Sequence, residues 1–132
     1  REFFYLNSHL YWRLEVARAN SGKVLVDQVR KIAGDKPVIA VGDYNSREET
    51  PQVKDILSLL RDAYAVSETA PAGPVNTDLG GGNFLGPAKA RIDYLFVSDH
   101  VRVKDYTVID DKRENGHYPS DHLPIVCSVE IE

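Results

Sequence analysis

Residues 38–45 read VIAVGDYN. The apolar run followed directly by glycine and aspartate predicts a short strand that ends at a turn. Because side chains alternate along a strand, Asp43 and Asn45 should fall on the same side at its C-terminal end, the edge at which open α/β sheets usually hold ligands. A carboxylate beside an amide suits the orientation of an attacking water. An ordinary Asx turn that caps the next helix explains the same two residues and stays open.

The sequence on either side of this strand predicts an α/β fold. A strand over residues 3–10 and a helix over residues 19–32 precede it, and a second helix runs from Thr50 to near Asp62. Residues 70–90 are rich in glycine and proline, which indicates an irregular loop or hairpin of the kind that often shapes a substrate site. Further strands are predicted over residues 91–97, 101–109 and 125–131.

The predicted strands over residues 3–6, 38–41 and 92–97 are apolar on both faces, as in a sheet that is covered on both sides. Two helices can cover one face, but no further helix or second sheet is evident in the sequence to cover the other. We therefore expect one mixed sheet with helices on one face, in a single domain over residues 1–132. The uncovered face should be buried either by chain beyond this sequence or by self-association.

Composition and charge exclude few classes of protein. The 132 residues are 42% hydrophobic and 27% charged, and they contain no apolar run long enough to cross a membrane. The sequence begins at Arg1 and has no methionine, so we expect a processed chain or a piece of a longer protein. The single cysteine, Cys127, rules out an internal disulfide but leaves the compartment undetermined. The net charge of −4 argues weakly against sequence-blind binding of long nucleic acid.

Two polar residues stand where strands are predicted. Asp93 lies within the apolar run RIDYLFV, where an unpaired carboxylate costs on the order of several kcal/mol in desolvation, so it needs a cation, a histidine or hydrogen-bond donors. An ion pair with a neighbouring arginine or lysine explains Asp93 equally well. His9 lies at the C-terminal end of the first strand, and so at the same edge as Asp43 if the two strands are parallel. Taken alone, a histidine on a strand is more often structural than catalytic.

The loop before the last strand is restrained by proline. Residues 116–124 read GHYPSDHLP, and Pro119 and Pro124 limit the backbone on either side. Adjacent side chains of an extended segment point to opposite sides, so Asp121 and His122 should have different partners, for example a metal and a phosphate. An Asp-His pair at the surface without any function is the alternative.

Four short motifs, in this order and at domain-scale separations, resemble the endonuclease/exonuclease/phosphatase superfamily. They are NSHL at residues 7–10, GDYN at residues 42–45, RIDY at residues 91–94 and SDHLP at residues 120–124. The resemblance implies a four-layer α/β sandwich in which two packed sheets are flanked by helices. This chain would be a single partial domain, the C-terminal half of that sandwich.

The resemblance also implies roles for the polar residues. Asp43 would orient or deprotonate the attacking water, and Asn45 would bind the phosphate. His122 would contact the scissile phosphate and pair with Asp93, while His9 would donate a hydrogen bond or a proton on the phosphate side. The chemistry implied is in-line hydrolysis, with a metal ion neutralising charge on the phosphoryl oxygens.

The implied cofactor is a divalent metal ion at or near Asp121 and Asp43. Carboxylate and amide oxygens without a cysteine cluster favour Mg²⁺, and Mn²⁺ fits almost as well. The principal metal-binding glutamate of the superfamily, and an asparagine before it, have no counterpart in this sequence, so we expect the isolated chain to be weakly active or inactive. Tyr11 and Trp12 stand where an acidic residue often follows the first motif, and Tyr44 replaces the commoner phenylalanine.

These features predict a divalent-metal-dependent hydrolase of phosphate esters and do not distinguish a phosphodiesterase from a phosphomonoesterase. Its partner is a phosphorylated substrate, and the acidic composition favours a small metabolite, lipid headgroup or sugar phosphate over nucleic acid. The alternative is a non-catalytic binding module that keeps the fold. A module without catalysis would have no chemical need for all the polar residues of the four motifs together.

Overall fold

The computed structural model describes residues 2–132. None of the helices in this part of the chain is long and apolar enough to cross a membrane. The elements follow one another as β1 (Phe4–His9), α1 (Glu15–Ala33), β2 (Val38–Asp43), α2 (Pro51–Leu57), β3 (Arg61–Asp62), α3 (Ala63–Val66), β4 (Asp93–Val97), β5 (Val101–Val108) and β6 (Ile125–Ile131).

Four strands form a mixed sheet in the order β1-β2-β4-β3. β1 and β2 are parallel, whereas β4 is antiparallel to both of its neighbours. The helices α1 and α2 cover one face, because apolar residues at helical spacing form a stripe that can be buried. Leu25 and Val29 of α1 and Val53 and Ile56 of α2 are buried there in one cluster with Phe96. The predicted α/β class, with a mixed sheet and helices on one face, is confirmed.

A second sheet covers part of the opposite face, so the expectation that the chain has no second sheet is wrong. β5 and β6 pair antiparallel, and β5 buries Val103, Tyr106 and Val108 in one cluster with Ile39 and Val97 of the first sheet. Packed sheets bury alternate side chains, and this alternation is visible along both strands. Each strand can be recognised alone, but a long loop separates the two, and their pairing leaves no local signal.

The cover on this face is incomplete. Tyr5 of β1 is 62% exposed, and an open groove of about 530 Å³ lies between the sheets, with Val41, Leu95, Ile125 and Cys127 among its lining residues. β1 and β6 each have a single neighbouring strand in the described part of the chain, so both present a free edge. The expected uncovered face is therefore present on the β1 side, and self-association through it stays a prediction.

The helix boundaries differ from the predicted ones. α1 begins at Glu15 rather than at Ala19, with an acidic residue in its first turn, where the helix dipole favours negative charge. The second helix ends at Leu57 rather than near Asp62, and the short elements β3 and α3 follow. Oδ1 of Asp62 caps α3 by accepting the N–H of Tyr64 at 3.0 Å. A strand of two residues has no periodicity, so the sequence could not show β3.

Gly42 lets β1 and β2 approach each other at the end that carries the polar residues. Its φ of 146° is open chiefly to glycine, and a Cβ atom there would lie 1.8 Å from the backbone oxygen of Ser8. Any other residue would force one of the two strands to move. The close approach sets His9 beside Asp43 as its register partner.

Candidate active site

Three of the predicted site residues lie in one row across three strands. His9 on β1 is the register partner of Asp43 on β2, and Asp43 is in turn the partner of Asp93 on β4. Register partners lie side by side on one face of a sheet. Nε2 of His9 lies 3.3 Å from Oδ2 of Asp43. The sequence predicted His9 at this edge on the condition that β1 and β2 are parallel. The two strands are parallel, so that condition is met.

Asp93 is held by a threonine and a histidine. Its Oδ2 accepts a hydrogen bond from the hydroxyl of Thr77 at 2.6 Å and lies 2.8 Å from Nδ1 of His122. Thr77 is completely buried, and its backbone oxygen accepts the N–H of Leu123, the residue after His122, at 2.7 Å. Within residues 2–132, Asp93 has no arginine or lysine partner. The carboxylate in the apolar strand is thus satisfied by a histidine and a hydroxyl donor.

Carboxylates flank the imidazole of His122 on both sides. Asp93 lies at Nδ1, and Oδ1 of Asp78 lies 3.7 Å from Nε2. Burial by itself lowers the pKa of His122, but the hydrogen bond and charge of Asp93, together with the charges of Asp43 and Asp78, outweigh it, so the pKa is raised. Burial also raises the pKa of Asp93, and the hydrogen bonds from Thr77 and His122 offset this only in part.

The raised pKa of His122 can be measured by NMR. We expect its ring to titrate above the ordinary histidine value of 6.5, and we expect Asp93→Asn to lower that pKa because a neighbouring negative charge is removed. Since the pKa is higher in the folded state, protonation of His122 adds stability that is fully present below pH 6.5. That stability is lost as the pH rises through the folded pKa.

Ring shifts of His122 followed from about pH 5 to about pH 9 test this expectation. The variant Asp111→Asn, at an exposed position, is the control and should leave the titration unchanged. A wild-type ring that titrates at or below 6.5 would contradict the prediction.

Asn45 follows β2 in a tight turn. Its φ of 45° lies in the left-handed region that asparagine tolerates, and its backbone N–H donates to Oδ1 of Asp43 at 2.7 Å. The Asx turn is therefore present, although it caps no helix, because α2 begins only at Pro51. The side-chain Nδ2 of Asn45 donates to the backbone oxygen of Leu10 at 2.8 Å, which ties the amide to the end of β1.

Asp43, Asp93 and His122 form a group that could hold a metal ion, with one atom of each within 4.8 Å of the others. Like charges directly across two strands are unfavourable, and the charge of Asp43 contributes to the raised pKa of Asp93. A cation between the two carboxylates would relieve this repulsion, so the donor set fits a divalent ion. The carboxylate of Asp121 lies outside this group, where its Oδ2 accepts the N–H of Gly82 at 2.9 Å.

The aromatic residues that depart from the family motifs have different surroundings. Tyr44 is completely buried, with its ring edge-on to the rings of Tyr94 and Phe96, so it packs as a phenylalanine would. Tyr11 and Trp12 are largely exposed beyond the end of β1 and do not join the core.

Thr77 and Asp78 were not among the residues predicted from the sequence. Both lie within the glycine-rich and proline-rich loop, and nothing in their spacing links them to Asp93 or His122. The one available signal is the polar run NTD at residues 76–78, which is followed by leucine and three glycines. Their contacts depend on how the loop folds back, which is a long-range property of the chain.

A buried ion pair beside the site was also not predicted. Nη2 of Arg91 lies 2.5 Å from Oδ2 of Asp62, and both side chains are about nine-tenths buried. The guanidinium of Arg91 lies 4.6 Å from the ring centre of Tyr64 and 4.7 Å from that of Tyr94, so cation–π contacts support it on two sides. The pair fastens β3 to the start of β4, the strand on which Asp93 lies.

Sequence comparison relates the chain to proteins of known type. A family model described as the Endonuclease/Exonuclease/phosphatase family matches residues 2–122. Nocturnin of Drosophila melanogaster is 28% identical over 165 aligned positions, which cover 99% of this chain and 26% of that protein. The chain therefore spans about a quarter of that relative's length.

Structural comparison leads to the same group. A mannosyl-6-phosphatase from Bacteroides thetaiotaomicron VPI-5482 superimposes with a TM-score of 0.82 and 25% identity, covering 96% of this chain and 51% of that one. The human Nocturnin catalytic domain with a bound sulfate anion gives a TM-score of 0.71 and 25% identity, covering 96% of this chain and 46% of that one. The chain spans about half of each of these structures. With its four motifs and its sheet topology, this chain belongs to the endonuclease/exonuclease/phosphatase family.

Proposed function

We propose that this chain supplies the C-terminal part of the active site of a divalent-metal-dependent hydrolase of phosphate esters. The family comprises hydrolases that act on phosphate esters. The observation that carries the proposal is the row of His9, Asp43 and Asp93, with His122 hydrogen-bonded at its end. Two acidic and two basic groups that converge on one sheet edge provide the groups that in-line hydrolysis needs.

Each group in the row can take one part of the reaction. We assign Asp43 to orient or deprotonate the attacking water, and His9, 3.3 Å away, to donate on the phosphate side. Asp93 engages Nδ1 of His122, so Nε2 is the ring nitrogen that can donate to a phosphoryl oxygen. Asn45, tied through Nδ2 to the end of β1, is assigned to bind the phosphate.

The metal we propose is Mg²⁺, with Mn²⁺ as the alternative, because the group is rich in carboxylate oxygens and contains no cysteine. A bound ion would neutralise charge on the phosphoryl oxygens. Asp43 would hold it, while the carboxylate of Asp93 stays paired with His122, and we propose that a carboxylate from outside this chain completes the ligand set. The assignment of Asp121 as a ligand stays a prediction.

The substrate we propose is a small phosphorylated molecule. The net charge of −4 gives little support for binding a long polyanion. The mannosyl-6-phosphatase among the similar structures carries in its name a sugar phosphate, and the human Nocturnin domain holds a sulfate, a tetrahedral anion like phosphate. These likenesses support a sugar phosphate or another small phosphomonoester ahead of nucleic acid.

A substrate panel run on the longer protein that contains this chain tests the proposal. We expect Mg²⁺-dependent release of phosphate from at least one small phosphomonoester. We also expect Asp43→Asn to lower turnover on the order of a thousandfold, because it keeps the shape of the side chain but removes the charge that orients the water. The variant Asp111→Asn, at an exposed position, is the matched control. Unchanged turnover in Asp43→Asn, or turnover without a divalent metal, would overturn the proposal.

A non-catalytic binding module is the second candidate, and the same panel separates it from the enzyme. The module predicts binding of a phosphorylated ligand with no turnover under any metal condition. The isolated chain of 132 residues provides a further comparison. Without a glutamate ligand it should be weakly active or inactive, and it should self-associate through its uncovered sheet face. A stable monomer in light scattering would contradict self-association.

A further inference from the structure

Both the side chain and the backbone of Asp121 bind a loop that is distant in sequence. Oδ2 of Asp121 accepts the N–H of Gly82 at 2.9 Å, and its backbone oxygen accepts the N–H of Leu79 at 2.8 Å. Gly82 lies within residues 80–86 (GGGNFLG), which we call the glycine loop, and Leu79 directly precedes that loop. The carboxylate of Asp121 therefore binds this loop and does not belong to the possible metal-binding group of Asp43, Asp93 and His122.

Hydrogen bonds within the glycine loop close its turn, as where the N–H of Asn83 donates to the backbone oxygen of Gly80 at 2.8 Å, so contacts such as that of Asp121 set where the turned loop lies. Gly80, Gly82 and Gly86 have φ values of 92°, 73° and 77°, which side chains rarely allow, and glycine loses the most conformational freedom when a segment is ordered. A second anchor lies next to the first, where the backbone oxygen of Phe84 accepts the N–H of Tyr118 at 2.7 Å. The loop is thus fastened to the same stretch of chain that carries Asp121 and His122.

The start of the glycine loop continues directly from the residues that hold the site together. Thr77 binds Asp93, and Asp78 lies 3.7 Å from Nε2 of His122. A change in the position of the loop would therefore reach the imidazole through two or three residues of backbone. At the outer end of the loop, Phe84 and Leu85 are 41% and 58% exposed, which gives the loop an apolar rim beside the segment of His122.

We propose that Asp121 is a positioning residue whose carboxylate latches the glycine loop against the segment that carries His122, and that the latched loop forms one wall of the substrate site. The second part rests on the function proposed above, whereas the latch itself does not. Asp121 then acts on the reaction through the loop and through the orientation of His122, and not as a metal ligand. The apolar rim of Phe84 and Leu85 would face the part of the substrate that is not phosphate.

The latch can be tested in the 132-residue chain by NMR of the Gly82 amide. Asp121→Ala removes the acceptor, so we expect the Gly82 amide proton to move upfield and to exchange with solvent about threefold to tenfold faster. Asp121→Asn keeps an oxygen at the same place and should restore most of both properties. Asp111→Ala, at an exposed position in the same region, is the matched control. A Gly82 amide that is unchanged in Asp121→Ala would overturn the latch.

Metal binding separates the latch from the ligand role predicted from the sequence. Calorimetry with Mn²⁺ on the longer protein should give the same affinity for wild type and Asp121→Asn within about twofold, since the proposed latch needs only a hydrogen-bond acceptor. A metal ligand that loses its charge should instead weaken the affinity by about tenfold or more. That second outcome would overturn the proposal and support the metal role of Asp121.

Steady-state kinetics test whether the latched glycine loop forms a wall of the substrate site. We expect Asp121→Ala to raise KM on the order of tenfold with a smaller fall in kcat, and Asp121→Asn to restore most of the loss. A fall in kcat with KM unchanged, or no restoration by Asp121→Asn, would overturn the proposal that the loop forms a wall of the substrate site. If the wild type turns over no substrate, both the proposed function and the proposed wall are wrong. The NMR of the Gly82 amide in Asp121→Ala still tests the latch, because it does not depend on activity.

Discussion

The substitution His122→Ala is expected to lower kcat of the longer protein by about a thousandfold, and the further substitution Asp93→Ala is expected to lower it little more. Asp93 binds Nδ1 of the ring at 2.8 Å, so its effect on the reaction passes through the imidazole that it orients. Once the ring is absent, the carboxylate has no group to orient. The two residues should therefore behave as one unit.

Steady-state kinetics of the two single variants and the double variant measure this coupling. A control cycle uses Asp105→Ala, because Oδ1 of Asp105 accepts the N–H of Ser128 within the second sheet, away from the site. The effects of Asp105→Ala and His122→Ala should multiply, since distant residues act independently. If the effects of Asp93→Ala and His122→Ala on kcat multiply, Asp93 does not act through the imidazole of His122, and the prediction is contradicted.

The substitution Arg91→Leu is expected to cost about 3 to 5 kcal/mol in the free energy of unfolding. It removes the cation from a pair whose side chains are only 9% and 10% exposed, which leaves the carboxylate of Asp62 buried with its charge unbalanced. It also removes the group that lies between the rings of Tyr64 and Tyr94. The double variant Asp62→Asn/Arg91→Leu should recover much of the loss, because no unpaired charge remains and an amide oxygen can still accept the N–H of Tyr64.

Urea unfolding followed by circular dichroism measures these free energies. Arg102→Leu is the matched control, because Arg102 pairs with Glu68 at 2.6 Å but both side chains lie in solvent. Pairs of that kind contribute little to stability. Equal losses for Arg91→Leu and Arg102→Leu would contradict the importance that we give to burial.

The sequence predicted most of the elements because their signals are local. VIAV before Gly42 and the apolar spacing of Val53 and Ile56 are readable from a few neighbouring residues. β3 was not predicted, because its two residues are defined only by their pairing with β4. The second sheet was overlooked for the same reason: β5 and β6 are each recognisable, but what joins them is tertiary.

The same distinction between local and long-range signals applies to the site residues. The apolar strand around Asp93 predicted that its carboxylate needs a partner, and the structure gives it His122 and Thr77. The sequence could name the histidine only through its motif, and it could not name Thr77, whose loop has no periodicity. For Asp121 the motif predicts a metal role, which stays a prediction, and nothing local in the sequence predicted the contact of its carboxylate with the backbone of Gly82.

The row of His9, Asp43 and Asp93 makes the chemistry depend on strand alignment. A slip of β1 by two residues would keep every side chain on its own face and satisfy the backbone hydrogen bonds, yet it would carry His9 about 7 Å away from Asp43. Gly42 opposes such a slip, because only at this position can the oxygen of Ser8 come so close. Activity regained on refolding would therefore report the correct alignment of β1 and β2. A chain that has formed all its helices but has a slipped β1 would show no activity.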